Sequence, residues 1–600
     1  MRHRFGFVLL AMLASCCGVF AQQAVPTPEI VYTISLAHGG EQMLDITADF
    51  QENGDTHTLL LPVWNALYQI RDFAQYVSNV HAYDASGNLL AVVKKEKSTW
   101  EIKGSRHIRV AYSLYAAEGG PFGAEVNAHH AFLNLAEVLM FTAMTRHFLT
   151  TVKFTDVPMH WSLGVALPSL DARPGSSALG AYLMHAEDYD HLVDSPVELS
   201  SFTELHFTGS AGEMYRVLID SDNTFDHKKV TDHLKKITAA ETAWMQGVPF
   251  KEYTFIYHFR SGGWGGMEHS YSTAIDVPRP ENEEAVAEFD SVSAHEFFHL
   301  WNVKRIRPRS LEPVDYMKEN YTDALWFSEG VTTTVGRMSL LASGLMSQDE
   351  YFERLAAEIS VLQARPAHRI QTVEESSIDT WFDKYRYYRT PERSINYYNK
   401  GDVLGVLLDL AMRDATHGKK SLRDLFLYMN AEYGKTGKTF ADSEAVRQAT
   451  EKVTSASFEE FFRRYIAGTD ELPYEALYRT VGMKLEAHVR TERELGFDWG
   501  SSGSMWVIKG PLSQQATAAG LNEGDILVAI DHQPPMDSTS VLDAVGDHKS
   551  VIITISHGSK DEELTIPLLM HDTTSYRLTE DSHASSEQLQ RRKEWLGKSK

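Results

Sequence analysis

The sequence predicts a multidomain α+β chain: an N-terminal all-β sandwich, a mainly helical middle domain and a compact β domain near the C-terminus. Three observations predict it. Six hundred residues exceed what one hydrophobic core holds. Short alternating strands fill the chain from Val31 to about Leu205, and helical periods dominate from Glu283 to Ala467. Strands then return near Glu486 and stop around Leu569. The expected boundaries are a leader over 1–21, a β domain over 22–205, a helical domain over 206–480, a β domain over 485–570 and a polar tail over 571–600.

The leader is "MRHRFGFVLLAMLASCCGVFAQQ", two arginines, an apolar run from Phe5 to Ala14, then small residues. The run is too short to span a bilayer and has the layout of a signal peptide. Two processing routes are open: cleavage before Gln22, or a lipobox at Leu13-Ala14-Ser15-Cys16 with Cys16 lipidated. Both predict export, to the periplasm or to a lipid anchor in a bacterial envelope. Cys16 and Cys17 are the two cysteines of the chain, so a metal in the folded part must use His, Asp or Glu. A net charge of −24 disfavours nucleic acid and anionic membrane surfaces as partners.

In the β domain, "EIVYTISL", "MLDITADF", "HTLLLPVW", "HIRVAYSLYA" and "ELHFTG" are short and rich in β-branched or aromatic residues. The turn signals "ENGD" and "DASGN" separate several of them. Beyond about Asp222, "DHKKVTDHLKKITAAETAWM" has a helical period and "YTFIYHFR" reads as a strand. "NKGDVLGVLLDLAMRDAT" and "SLRDLFLYMNAEYG" space apolar residues three or four apart, as core-facing helices do. The tail from His571 is polar and is expected to be mobile, with one short helix.

"SVSAHEFFHLW" carries the chemistry. A helix over Ser291–Val303, begun by a capping box of Ser293 and Glu296, sets His295 and His299 one above the other. Both rings can then reach one ion, and Glu296 can hold a water beside it and take its proton. Imidazole and carboxylate suit zinc without excluding other first-row metals. A third ligand is needed, and Glu329 in a second expected helix, Thr322–Met338, is the candidate. Ahead of the motif, Gly265 and Gly266 in "SGGWGGMEHS" allow a substrate backbone to come close. Glu268 there can take the charge of a peptide amine. Downstream, Tyr398 in "NYYNKG" can donate a hydrogen bond to an oxyanion, with Tyr397 beside it as the competing choice.

Together "SAHEFFHLWNVKRIRP", "LWFSEG", "GGMEHS" and "YYNKG" resemble the glycyl aminopeptidase family of zinc metallopeptidases, relatives of the gluzincin aminopeptidases. The resemblance spans roughly Val31 to Leu569 and implies a thermolysin-like catalytic domain. It implies one zinc held by His295, His299 and Glu329, with Glu296 as general base, Tyr398 on the oxyanion and Glu268 on the substrate N-terminus. Peptides with a free N-terminal glycine or alanine are the implied substrates. The chain departs from the family at Trp64-Asn65-Ala66-Leu67, where Trp-x-Pro-Gly is usual. A locally altered loop with little effect on the zinc site is expected.

"RELGFDWGSSGSMWVIKGPLSQQATAAGLNEGDILVAIDHQPP" resembles a PDZ domain, which implies capture of a peptide or protein tail. Glu494 stands where that domain often has glycine and would repel a C-terminal carboxylate. The leading functional expectation is an exported zinc aminopeptidase. The alternatives are a zinc endopeptidase fed by the PDZ domain and a non-catalytic envelope scaffold.

Overall fold

The structure, a computed structural model, describes residues 29–52, 54–65, 67–168, 180–221, 226–503, 505–535, 537–546, 548–556 and 560–597. The leader with Cys16 and Gln22 lies outside them. The chain is a multidomain α+β protein with a β-rich N-terminal domain and a helical region behind it.

The N-terminal domain consists of a nine-stranded and a four-stranded sheet. Glu29–Ser35 and Met43–Gln51 pair antiparallel and alternate buried with solvent-facing residues, as a strand with one face on a core must. Glu29–Ser35 also runs parallel to Leu149–Thr155. Ile34, Ile46, Phe50, Leu114 and Trp64 fill the core between the sheets.

A five-stranded sheet follows, in the order Thr203–Thr208, Met214–Asp220, Glu252–Phe259, Ser272–Val277, Gly266–Glu268. The middle three strands are parallel, and the helix His227–Met245 makes the crossover between the first two of them. Glu252–Phe259 is buried along nearly its whole length because both faces are covered. Gly266–Glu268 forms the antiparallel edge, with Glu268 opposite Thr273.

The metal-motif helix begins earlier than the sequence suggested. It runs Glu283–Phe298, and Asn282 caps it by accepting from the Ala285 N–H at 2.9 Å. Glu283 and Glu284 sit in its first turn, where the helix dipole favours acids. Ser293 and Glu296 therefore form no capping box. Ser293 lies mid-helix with its hydroxyl 2.7 Å from the Tyr257 phenol, and Asp290 accepts from His233 Nδ1 at 2.7 Å. A tertiary partner occupies the Ser293 hydroxyl that local spacing assigned to a cap.

The second expected helix also shifts. It opens as a π-helical turn at Trp326–Gly330 and continues as an α-helix over Val331–Ser343, ending at Gly344 in the left-handed region. Gly330 crosses the helix Tyr397–Ala415 at Gly401, and a Cβ on Gly330 would stand 2.5 Å from the Gly401 Cα.

The C-terminal region is arranged differently from a domain followed by a loose tail. Met483–Glu494 and Leu569–Glu580 form a two-stranded antiparallel ribbon, paired from Met483 with Glu580 to Glu494 with Leu569. A five-stranded unit with its own core of Leu495, Phe497, Ile508, Leu527 and Ile553 hangs between these two strands. The chain then returns, and the helix Ser586–Trp595 buries Trp595 against Tyr351, Phe352 and Tyr478. The tail does contain a helix, as expected, but it begins as a paired strand rather than a mobile segment. Its polarity reflects a mostly solvent-facing ribbon, in which Leu578 is buried and Tyr576 half-buried against the helical domain. No helix among the described residues is long and apolar enough to cross a membrane.

Candidate active site

Two elements bring the ligand set together. His295 and His299 come from the helix Glu283–Phe298 and its C-cap, and Glu329 from the π-helical turn. A π turn adds a residue to the helical repeat and re-aims a side chain, which is why such turns recur at functional sites. Glu329 Oε2 lies 3.4 Å from His295 Nε2 and 3.2 Å from His299 Nε2, and the two Nε2 atoms are 2.9 Å apart. Ligands of a tetrahedral zinc, each 2.0–2.1 Å from the ion, stand about 3.3 Å from one another. The set fits a cation of that size.

The surroundings fix the rings. His299 Nδ1 is 2.6 Å from the Asn302 carbonyl, and His295 Nδ1 is 3.1 Å from Thr333 Oγ1. With Nδ1 so engaged, each ring turns Nε2 inward, as ligating histidines do. Glu329 Oε1 and Glu296 Oε2 are buried without a hydrogen-bond partner among the described residues. Such atoms are costly unless an ion or water meets them. Burial works to raise the Glu329 carboxyl, but His299 and His295 hold it well below the ordinary range. Burial and the His299 charge lower His295, whereas Glu329 and Glu268 lift His299 to about 10 against burial.

Glu296 and Glu268 share this space. The ligand atoms of Glu268, Glu296 and His299 lie within 4.8 Å of one another. Glu296 is pushed well above the ordinary carboxylate value by burial, with Glu268 and Glu329 adding to it and His299 opposing. Glu268, 7% exposed, ends the edge strand of the sheet. Gly265 has φ +101°, which a side chain would strain, and Gly266 lies against Glu296. Tyr398 faces His295 with ring centroids 6.1 Å apart. The Tyr397 hydroxyl is instead 3.1 Å from Thr380 Oγ1. All eight residues singled out in the sequence meet in one place.

The site opens into a cavity of about 810 Å³. Its walls include Leu67, Tyr68 and Phe122 of the N-terminal domain, opposite Trp264, Thr333 and Ile395. Leu67, from the segment that departs from the family pattern, borders this cavity. Trp64 is buried and its Nε1–H donates to the Asp315 carbonyl at 2.8 Å. Sequence reasoning missed Thr333, although it stands one helical turn after Glu329 and shares its face. It also missed Leu67, Tyr68 and Phe122, which carry no local signal because they reach the site from another domain.

Residues 288–404 match the M61 glycyl aminopeptidase family, and residues 31–201 match the Peptidase M61 N-terminal domain. No curated protein matches the chain. Among solved structures, the chain is similar to an aminopeptidase N family protein from Idiomarina loihiensis. The TM-score is 0.84 at 24% identity, over 94% of this chain and 100% of that one. An M1 zinc metallopeptidase from Deinococcus radiodurans aligns at TM-score 0.46 and 14% identity, over 74% of this chain and 94% of that one. The two matched segments support a peptidase, a hydrolase of peptide bonds.

Proposed function

We propose that the chain is an exported zinc aminopeptidase that removes small N-terminal residues, glycine or alanine, from peptides. One observation carries the direction of attack: Glu268, a buried carboxylate, lies within 4.8 Å of Glu296 and His299 at the end of an open strand edge. A substrate ammonium held by Glu268 leaves room for one residue before the reacting carbonyl. Cleavage is then confined to the first peptide bond.

His295, His299 and Glu329 hold the metal in this reading. When bound there, zinc polarises the substrate carbonyl and makes the attacking water more acidic. Glu296 takes the proton of that water and passes it to the leaving nitrogen. Burial, with Glu268 and Glu329 nearby, raises its carboxyl and so makes the carboxylate a stronger proton acceptor. Tyr398 donates its hydroxyl proton in a hydrogen bond to the carbonyl oxygen as charge builds there. Glu268 keeps the amine in register by a charge-assisted hydrogen bond.

Tail capture by the ribbon-borne unit as a PDZ domain is the companion proposal. Glu494-Leu495-Gly496-Phe497 resembles the loop by which such a domain receives a carboxylate, and it is pinned where the Ser513 N–H donates to the Gly496 carbonyl at 2.7 Å.

The deciding experiment combines metal analysis with kinetics on free and N-acetylated glycyl peptides. Glu296→Gln is expected to keep one zinc per chain and lose turnover, and Glu329→Gln to lose both. Equal cleavage of acetylated and free peptides would make the enzyme an endopeptidase and remove the role given to Glu268.

A further inference from the structure

Asp194 follows the helix Tyr189–Val193 of the N-terminal domain as its C-cap, distant in sequence from every site residue. Its carboxylate nevertheless accepts from two segments of the catalytic domain. His269 Nδ1 lies 3.2 Å away, the Ser270 backbone N–H 3.0 Å and Lys304 Nζ 2.7 Å. His269 and Ser270 directly follow Glu268. Lys304 lies in the turn after the ligand helix, where its own N–H donates to the His299 carbonyl at 3.1 Å. One carboxylate therefore ties the end of the anchor strand to the end of the ligand helix.

The same strand is held one residue earlier by the same domain. Asn134 Nδ2 donates to Met267 Sδ at 3.2 Å, and Asn65 Nδ2 to the Phe122 carbonyl at 2.7 Å and to Met267 Sδ at 3.5 Å. Arg305 closes the frame by donating to the Ser270 carbonyl at 3.2 Å. Glu268 itself has no hydrogen-bonding partner among the described residues to keep it in place, so its position is set by its neighbours in the chain.

We propose that Asp194 is a positioning residue for the substrate amine: it sets how far Glu268 stands from the His295, His299 and Glu329 set. The proposal rests on the reading of Glu268 as the amine anchor. Charge-assisted bonds to Ser270 and Lys304 are the short, strong kind that hold a backbone in register. A displaced anchor weakens binding of the substrate amine and leaves the reacting groups in place, so the cost falls on KM. The N-terminal domain is then part of the substrate-binding frame rather than a separate module.

The test is steady-state kinetics on a free glycyl peptide, with bound zinc measured for each full-length variant. Asp194→Asn keeps the shape and removes the charge. It is expected to raise KM about tenfold with kcat within about twofold and zinc at one per chain, since binding geometry and not the reacting groups has moved. Glu268→Gln in the same assay is expected to raise KM as well. If Glu268→Gln raises KM and Asp194→Asn does not, the positioning role is overturned while the anchor stands. If neither raises it, the anchor reading falls, and the proposal with it. Parallel loss of kcat and zinc in Asp194→Asn overturns the proposal in favour of a purely structural tie. Should Asp194→Asn not fold, Lys304→Met breaks the link to the ligand helix alone, and an unchanged KM there overturns the proposal equally.

Discussion

Gly266 and Glu296 meet with no space for a side chain between them: a Cβ on Gly266 would stand 2.5 Å from the Glu296 carboxyl carbon. The edge strand thus runs directly past the proposed base, and a substrate lying on that strand passes the same point. Gly266→Ala is expected to displace either the strand or the carboxylate by the better part of an ångström. Activity on glycyl peptides should fall about 10²-fold while zinc content is unchanged. Activity within a few-fold of the parent protein would mean that Glu296 does not work from this position.

The Gly330–Gly401 crossing sets the depth of Glu329. Neither glycine needs an unusual φ here; the demand is for space, since each would drive a Cβ into the backbone of the other helix. Gly401→Ala is expected to destabilise the protein by about 1–3 kcal/mol through overpacking. It should also weaken zinc retention, because the π-helical turn that carries Glu329 must move. A lowered Tm together with loss of zinc on dialysis checks this. A lowered Tm with zinc affinity intact would separate the crossing from the metal site.

The ligand set was legible because each residue sits in a short pattern. His295 and His299 share a helix face at i and i+4, and Glu329 stands in its own recognisable segment. The start of the ligand helix was misread because Ser293 and Glu296 have capping-box spacing, and only the fold shows Ser293 facing Tyr257. The strands of the N-terminal domain were read from their alternation, which a half-buried sheet imposes. Asp194, Tyr68 and Thr333 could not be read in the same way. Their roles come from contacts between distant segments, and no local periodicity records those. The ribbon was missed for a related reason: Leu569–Glu580 buries only Leu578 fully, so it lacks the alternation that marks a half-buried strand.

The ribbon gives a direct test of how far the catalytic unit depends on what it carries. Glu494 and Leu569 are the last paired residues before the chain leaves for the five-stranded unit. Replacing 495–568 by Asn-Gly would close the ribbon as a hairpin with a favoured two-residue turn. Trp595 and its contacts remain. The shortened protein is expected to fold and to cleave short glycyl peptides with kcat/KM within about threefold of the parent, since no ligand or cavity wall is lost. Loss of activity on short peptides would show that the unit completes the site rather than serving as an accessory.

The interface between the N-terminal domain and the central sheet holds a buried ionic network with a defined pH response. His258 Nδ1 lies 2.7 Å from Asp276, and its Nε2 3.2 Å from Glu198 across the domain boundary. His130 faces Glu198 at 3.6 Å, Glu125 at 3.5 Å and Asp220 at 3.9 Å, with Arg260 also bonded to Glu125. Burial works to lower both imidazoles, but Asp276 and Glu198 raise His258 to about 10, and Glu125 and Glu198 raise His130 to about 9. Because these values lie above the unfolded one, near 6.5, the stabilisation is complete below about pH 6.5 and is lost as pH rises through 9 to 10. Tm should therefore fall between pH 7 and pH 10. His258→Gln should lower Tm at pH 7 and flatten that dependence in part, because one of the two imidazoles that titrate has gone. A His258→Gln protein with the parent's full slope would place the alkaline loss elsewhere in the molecule.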